Sequence, residues 1–330
     1  MKKILIITAL FSFLLSTAQN DKMLERAKKQ WEPIKTKPLC VVLGVENEKY
    51  VEKLTKKKKE QEVKNYKNLI ANYNTFIKSS VNEYVKEFTS IKYITTTEFK
   101  NMDKKDKKSN AFLVRTFPEH TGGMVSTGFN NKPSFGGMGG GNTFAMASIE
   151  GIPENIDLDT TNVKDASIIK LLSWNDDELF PYYSQQLTKL FCTNAEVSLS
   201  MRQLNNSISN SINKISAKET EAKILTALKT KTLIINKNSL SDNLTETDIK
   251  KVYPNTFKIV EQAEYENILL SKKDDVVLLL VLQIASSQGM FGDTHQLFEP
   301  STNTTHIPNV QKCVGKIKKE HFEWYTKAVY

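Results

Sequence analysis

The chain has few of the residues from which covalent or metal-based frameworks are built. It contains three cysteines and four histidines in 330 residues. An odd number of cysteines cannot be fully paired within one chain, so at most one bridge is expected and a disulfide scaffold is excluded. Cys40 lies in an apolar, strand-like run and is expected to be a core residue. A bridge between Cys192 and Cys313 remains open, because no spacing rule supports it.

Long apolar runs are missing after the first twenty residues. The strongest later run, "VVLLLVLQIA" at 276–285, has only the length of a strand and follows charged residues. We therefore expect no transmembrane span in the mature chain, 19–330.

The start of the chain carries the features of a secretory signal peptide. Lys2 and Lys3 precede an apolar run at 4–15, and small residues then lead up to Ala18. This order predicts a signal peptide at 1–18, cleaved after Ala18, and a periplasmic or secreted mature protein. The formal net charge falls from +9 to +7 when the two lysines are removed.

Recognisable catalytic and cofactor motifs are also missing. The sequence has no G-x-x-x-x-G-K-[ST] phosphate loop, no G-x-S-x-G elbow and no H-E-x-x-H zinc pair. We therefore predict no catalytic, cofactor-binding or metal-binding residues and no cofactor. Asp176 to Glu178 are interpreted as a helix start, where acidic residues favour the helix dipole.

The histidines offer one weak alternative. His295 and His306 lie in one predicted loop, with Asp293 and Glu299 nearby. These four residue types can bind a metal ion. Solvent-exposed loop histidines are the preferred interpretation.

An internal repeat dominates what the sequence does contain. "IKTKPLCVVL" at 34–43 returns as "LKTKTLIINK" at 228–237, an offset of 194. A second pair, beginning at 91 and 257, has an offset of 166, and a third pairs 178–183 with 320–325. Three colinear matches predict an internal duplication of one domain.

Both copies show the same predicted order of elements. The strands alternate with helices, which indicates an α/β sandwich with a mainly parallel sheet, and each copy ends in an aromatic-rich helix, at 175–191 and 317–329. The fold class is therefore α/β, with two related sandwich domains. The domains are placed at 19–194 and 221–330, with a helical connection at 195–220.

The first copy carries two additions. A helix with one apolar face is predicted from about 63 to 88, far longer than its counterpart. A Gly-rich loop follows at 120–142, and its glycines do not lead from a strand into a helix as a phosphate cradle requires. Apolar side chains within the loop suggest contact with a partner. The proposed partner-binding residues are Met124, Phe129, Phe135 and Met138.

Lysines concentrate at 56–59 and 100–108, both in the first copy. A solvated helix face explains such runs, and contact with an anionic glycan, an anionic lipid or an acidic protein is the functional alternative. Nucleic acid is disfavoured because the protein is expected to be exported.

The run "LTETDIKKVYPNTFKIVEQAEYENILLSKKDDVVLLLVLQI" at 244–284 resembles a segment of uncharacterised exported proteins of Bacteroidota with no assigned function. The signal peptide ending in "TAQ" is similar too. The resemblance implies export and an α/β fold, and it brings no site residues.

Three functions are consistent with these features. The leading hypothesis is an exported, non-enzymatic envelope protein that binds a protein partner or ligand through the long helix and the Gly-rich loop. The alternatives are a hydrolase with its site between the domains, and a two-lobed protein that closes on a small molecule. The sequence does not indicate an oligomeric state.

Overall fold

A computed structural model of the chain describes residues 22, 24–116, 120–121, 124–125, 167–175, 178–187, 191–285, 291–308 and 312–327. The chain is mixed α/β and contains two five-stranded sheets, each the centre of one lobe.

The first lobe contains the sheet β2-β1-β3-β6-β7. Its strands are β1 (Leu39–Leu43), β2 (Ile91–Thr95), β3 (Ala111–Thr116), β6 (Ser167–Asn175) and β7 (Glu178–Leu187), while β4 (His120–Thr121) and β5 (Met124–Val125) form a separate pair. Its helices are α1 (24–35), α2 (Glu48–Lys56), α3 (Glu60–Tyr84), α4 (Thr96–Asn101) and α5 (Lys104–Ser109).

The second lobe contains the sheet β12-β11-β10-β8-β9. Its strands are β8 (Thr232–Asn236), β9 (Phe257–Val260), β10 (Val276–Ala285), β11 (Phe291–Glu299) and β12 (Thr304–His306). The helices that follow the first lobe are α6 (Asn194–Ile212), α7 (Ala217–Thr230), α8 (Glu246–Val252), α9 (Gln262–Leu270) and α10 (Phe322–Tyr325).

Both sheets are mixed. In each, the first three strands in chain order pair in parallel and the last two add as antiparallel neighbours. The prediction of a mainly parallel sheet is therefore confirmed only for the first three strands of each sheet. A crossover helix is needed only between parallel strands, which explains why the antiparallel strands follow one another without one.

The two sheets share strand order and register. Leu39 pairs with Ile91 in the first lobe, and Leu233, 194 residues later, pairs with Phe257. Leu39 also pairs with Ala111, whereas Leu233 pairs with Val277. The second and third strands thus both keep the offset of 166. Apolar strands covered on both faces preserve this pattern in the sequence.

The third sequence match is wrong. Residues 178–183 belong to strand β7, whereas 320–325 form a short 3₁₀ turn, Lys319–His321, followed by α10. The helix predicted at 175–191 is therefore absent, and Glu178 pairs with Asn175 across a hairpin instead of opening a helix. Because β7 is an edge strand, it can accommodate Pro181, which would interrupt a central strand.

Helix α3 has the length that the sequence predicts, 25 residues, but its apolar face lies inside the protein. Tyr73, Ile77 and Val81 pack in the core of the first lobe, while Tyr66 and Leu69 pack against α2. The expectation that this face contacts a partner is wrong, because burial within the chain already covers it.

Helix α6 joins the lobes. Val197 and Met201 pack in the core of the first lobe, and Ala195 and Leu199 pack in a cluster of the second. The helix begins with a capping box between Thr193 and Glu196, which satisfies backbone N–H groups at its first turn.

Arg202 of α6 is the largest fully buried side chain among the described residues. Its guanidinium donates to Oδ1 of Asn303 at 2.6 Å, to the Leu269 carbonyl at 2.5 Å and to the Pro300 carbonyl. It lies 4.8 Å from the ring centre of Phe298 and 5.2 Å from that of Tyr84. One side chain thus connects α6 and Tyr84 of the first lobe to the end of α9 and to the loop between β11 and β12 in the second.

Replacing Arg202 with Met should lower the free energy of unfolding by about 3 kcal/mol, since buried carbonyls lose their donor. Urea unfolding followed by circular dichroism measures the change. Arg26→Met, at an exposed position, is the matched control and should alter stability little. A loss for Arg202→Met no greater than that of the control would contradict the assigned role.

Candidate functional site

Arg115 and Ser167 lie at the edge of the first sheet at which its three parallel strands end. Ligands of open α/β sheets bind outside the carboxyl ends of the strands, so this edge is the candidate site. Arg115 lies here, one residue before the end of β3, and Ser167 begins β6 beside it. We call this region the carboxyl edge of the first sheet.

Arg115 is held between two side chains. Its Nε donates to Oγ of Ser167 at 2.7 Å, and its guanidinium carbon lies 4.6 Å from the ring centre of Tyr73. Burial raises the pKa of Tyr73, while the Arg115 charge opposes this rise. The phenol therefore stays protonated, and its ring offers a π face to the cation.

Cys192 completes this cluster. Burial raises the pKa of its thiol, and Arg115 acts in the opposite direction. A buried thiol with a raised pKa is a poor nucleophile, because the thiolate is the reactive form. The arrangement suits a core cysteine better than a catalytic one.

The loop after β1, where nucleotide-binding α/β proteins hold phosphate, is closed by a side chain. Gly44 N–H donates to Oδ1 of Asn74 at 3.0 Å, and Nδ2 of Asn74 donates to the Gly44 carbonyl at 2.9 Å. A phosphate cradle needs backbone N–H groups directed at the ligand, and this one is bonded within the chain.

The connection 117–166, which contains the Gly-rich loop, begins and ends at the carboxyl edge of the first sheet. Residues 117–166 connect β3 to β6, which are hydrogen-bonded neighbours, whereas residues 286–290 make the same connection from β10 to β11. Of the predicted partner-binding residues, Met124 lies in β5, and its backbone pairs with Thr121. Phe129, Phe135 and Met138 lie outside the described residues.

The second lobe has a histidine at the equivalent rung. Arg115 pairs with Ile169, and Val281, 166 residues after Arg115, pairs with His295. Nε2 of His295 lies 2.7 Å from the Gly315 carbonyl, and Nδ1 lies 2.7 Å from the Tyr325 hydroxyl. A carbonyl only accepts, so Nε2 carries the proton and the tyrosine donates to Nδ1.

His295 is neutral in the folded protein. Burial lowers its pKa to about 4, against the opposing effect of its hydrogen bond to Gly315, and the ring of His321 lies 4.6 Å away. Nδ1 of His321 in turn accepts the Lys318 backbone N–H at 3.1 Å. These contacts attach the C-terminal segment to β11, and they engage both nitrogens of His295.

His306 forms a separate buried pair. Its Nε2 lies 3.7 Å from Oε1 of Glu221 on α7 and has no hydrogen-bond partner among the described residues. Burial lowers the pKa of His306, and the Glu221 charge opposes that effect. Both side chains are buried between α7 and β12. The contribution of this pair to the packing of α7 on β12 therefore depends on pH.

The prediction of solvent-exposed loop histidines is wrong. His295 and His306 lie in strands β11 and β12 and are buried, because β11 is covered on both faces and His306 lies against Glu221 of α7. Glu299, which the metal alternative includes, instead pairs with Lys231 at 2.5 Å. Within the part of the chain that the structure describes, no three His, Cys, Asp or Glu side chains are grouped as metal ligands.

All three cysteines fall within the described residues and are buried free thiols. The bridge that the sequence leaves open between Cys192 and Cys313 is not formed. Burial raises the pKa of Cys313 to about 11. None of the helices in the described ranges is both long and apolar enough to span a bilayer.

No protein family, curated protein or solved structure matches the chain.

The histidines should make stability pH-dependent. The pKa of His295 is lower in the folded protein, about 4, than the ordinary value of 6.5, so the unfolded chain binds the proton more tightly. Stability is therefore complete above pH 6.5 and falls as the pH drops towards 4, by up to about 3 kcal/mol from this residue. Urea unfolding at a series of pH values measures the decline.

His295→Gln keeps a donor for the Gly315 carbonyl but cannot titrate. It should be less stable than wild type at pH 7 and lose less stability between pH 6.5 and 4. His120→Gln, the matched histidine replacement in the first lobe, should keep the wild-type decline. An unchanged pH slope in His295→Gln would count against the assignment.

The thiols should be protected by the fold. Ellman's reagent should react slowly with the native protein and release three equivalents in concentrated guanidinium chloride without reductant, because all three cysteines are buried and free. One equivalent under those denaturing conditions would reveal a disulfide and overturn this account.

Proposed function

We propose that this protein is an exported, non-enzymatic envelope protein that binds a protein partner through residues 117–166. The observation that supports this proposal is the difference in length between two connections that join equivalent strands. The same step, from the third strand to its antiparallel neighbour, takes fifty residues in the first lobe and five, 286–290, in the second.

The attachment of the long connection supports binding. Arg115 donates to Ser167, and the Thr116 hydroxyl donates to the Ile168 carbonyl at 3.3 Å, so both ends of the connection leave from a fixed pair of strands. Binding residues are frequently carried by loops that a rigid scaffold positions. The methionines and phenylalanines of 117–166 are apolar residues of the kind that form contact surfaces.

A duplication followed by elaboration of one copy accounts for the asymmetry. Its support is the common strand order of the two sheets and the offset of 166 that their second and third strands keep. In this proposal the second lobe remains the plain copy, with Val281 at the position where the first lobe has Arg115. The sequence features at 1–18 support export to the periplasm or the cell exterior.

The alternatives have weaker support. A hydrolase between the lobes needs a nucleophile and a base within hydrogen-bond reach in a cleft. At the described junction the space is occupied by Arg202, whose side chain is fully buried. Lobes that close on a small molecule need a hinge, and the hydrogen bonds of Arg202 oppose relative movement.

The second lobe supplies the matched replacement for the test. Substituting residues 117–166 with "QIASSQGMFG", residues 283–292 of the second lobe, should leave a folded protein, because this segment follows Leu282, which is equivalent to Thr116 and pairs with Thr294 as Thr116 pairs with Ile168. Circular dichroism and the urea midpoint check the fold. Proteins recovered from the native envelope with the wild type should be absent from the replacement, as measured by mass spectrometry.

A second variant separates contact from length. Replacing Met124, Phe129, Phe135 and Met138 together with serine keeps the loop but removes its apolar side chains, and recovery of the partner should again fall. If both variants retained every partner that the wild type recovers, binding through this segment would be excluded.

A further inference from the structure

The first lobe carries a second surface that the loop does not include. We call it the lysine face: Lys92 of β2, Lys100 of α4, and Lys104, Lys107 and Lys108 of α5. From this face we infer that the protein binds an anionic polysaccharide. The inferred site is distinct from residues 117–166. The inference rests on the proposed export in one respect, namely that the protein meets the polysaccharide outside the cytoplasm.

Aromatic rings beneath α5 position three of these lysines. The ammonium groups of Lys104 and Lys108 lie 5.6 Å and 5.8 Å from the ring centre of Trp174, and that of Lys107 lies 5.2 Å from the ring centre of Phe99. Phe99 is buried and stacks edge-on against Phe112 at 4.9 Å. The charges are therefore grouped over a fixed aromatic base instead of being spread along flexible chains.

Two acidic residues of this segment, Asp103 and Glu98, are engaged in helix caps. Asp103 accepts the Asp106 backbone N–H at 2.7 Å at the start of α5. Glu98 accepts from the backbone and hydroxyl of Thr95 at 2.6 Å and 2.8 Å, and these bonds lower its pKa. These caps fix the two short helices, and they therefore fix the surface on which the lysines lie.

The equivalent segment of the second lobe has lost this character. Residues 100–110 contain five lysines and two aspartates, whereas residues 266–276 contain two lysines and three acidic residues. Of those two, Lys272 pairs with Glu83 at 3.3 Å across the lobe junction. The positive charge is therefore a property of one lobe and is not required by the common fold.

The surroundings favour a polymer over a membrane. Binding to a lipid surface combines positive charge with apolar side chains that insert among the lipids. Among the described residues, the exposed large apolar side chains are Val45, Ile307 and Val314, and none lies on α4, α5 or the strands beneath them. Charge complementarity without insertion suits a hydrated chain that carries carboxylate or sulfate groups.

Dextran sulfate, with uncharged dextran as its matched polymer, tests the inference in a titration of the full mature protein. Dextran sulfate should bind, dextran should not, and added NaCl should weaken the binding because salt screens exposed charges. Lys104→Gln/Lys107→Gln/Lys108→Gln should weaken binding about tenfold or more, since three grouped charges are removed.

Lys56→Gln/Lys57→Gln/Lys58→Gln is the matched control. It removes the same charge from the exposed end of α2 and the turn that follows it, and it should change the affinity less than about twofold. Equal losses in the two triple variants would show a response to net charge alone and would overturn the site. Absence of dextran sulfate binding would overturn it as well.

Two further probes exclude the other polyanions. Phosphatidylglycerol vesicles and single-stranded DNA should bind more weakly than dextran sulfate, and tighter binding of either would contradict the assignment. The variant with 117–166 replaced by "QIASSQGMFG" should keep dextran sulfate binding, so a failure of this inference and a failure of the proposed function are distinguishable.

Discussion

The arrangement of the two lobes depends on burying one cation. Arg202 has no exposed surface, and burial lowers its pKa, so its charge is tolerated only where acceptors surround it. The carbonyls of Leu269 and Pro300 and the amide oxygen of Asn303 provide them. All three belong to the second lobe, whereas the helix that carries Arg202 packs in the core of the first. A different arrangement of the lobes would leave both the cation and the carbonyls unsatisfied.

The two lobes have a common sheet and a fixed junction, but they differ at the carboxyl edge of the sheet. Both sheets have one strand order, and the rung formed by Arg115 and Ile169 in the first corresponds to that of Val281 and His295 in the second. The second lobe uses this rung internally, since His295 bonds to Gly315 and Tyr325. In the first lobe it is the point from which the fifty-residue connection leaves. In the function that we propose, the second lobe provides structural support and the first lobe carries recognition.

The sequence predicts the buried strands well and the edges poorly. The offset of 166 is readable because the second and third strands keep their pattern of side chains, and the same pairs meet in the sheets. Strand β7 was missed because its aromatic residues and adjacent acids are equally compatible with a helix. The run "DTHQLF" has no alternation of apolar and polar residues, so nothing local indicates that His295 lies in a strand.

Long-range contacts account for most of what sequence reasoning could not reach. Arg202 stands in the polar run "SMRQLNN", and nothing local indicates that carbonyls about 70 and 100 residues away enclose it. The apolar face of α3 was readable, but not whether the chain itself covers it. Likewise, the lysines at 104–108 were evident, whereas the rings of Trp174 and Phe99 beneath them were not.

Site-specific photo-crosslinking in intact cells tests the central claim most directly. A photoreactive residue at position 135, within the long connection, reports contact in the native envelope, and one at exposed Lys258 of the second lobe is the control. Recognition by the first lobe predicts a discrete crosslinked partner from position 135 and none from position 258. Crosslinks from position 258 alone, or from neither position, would contradict it.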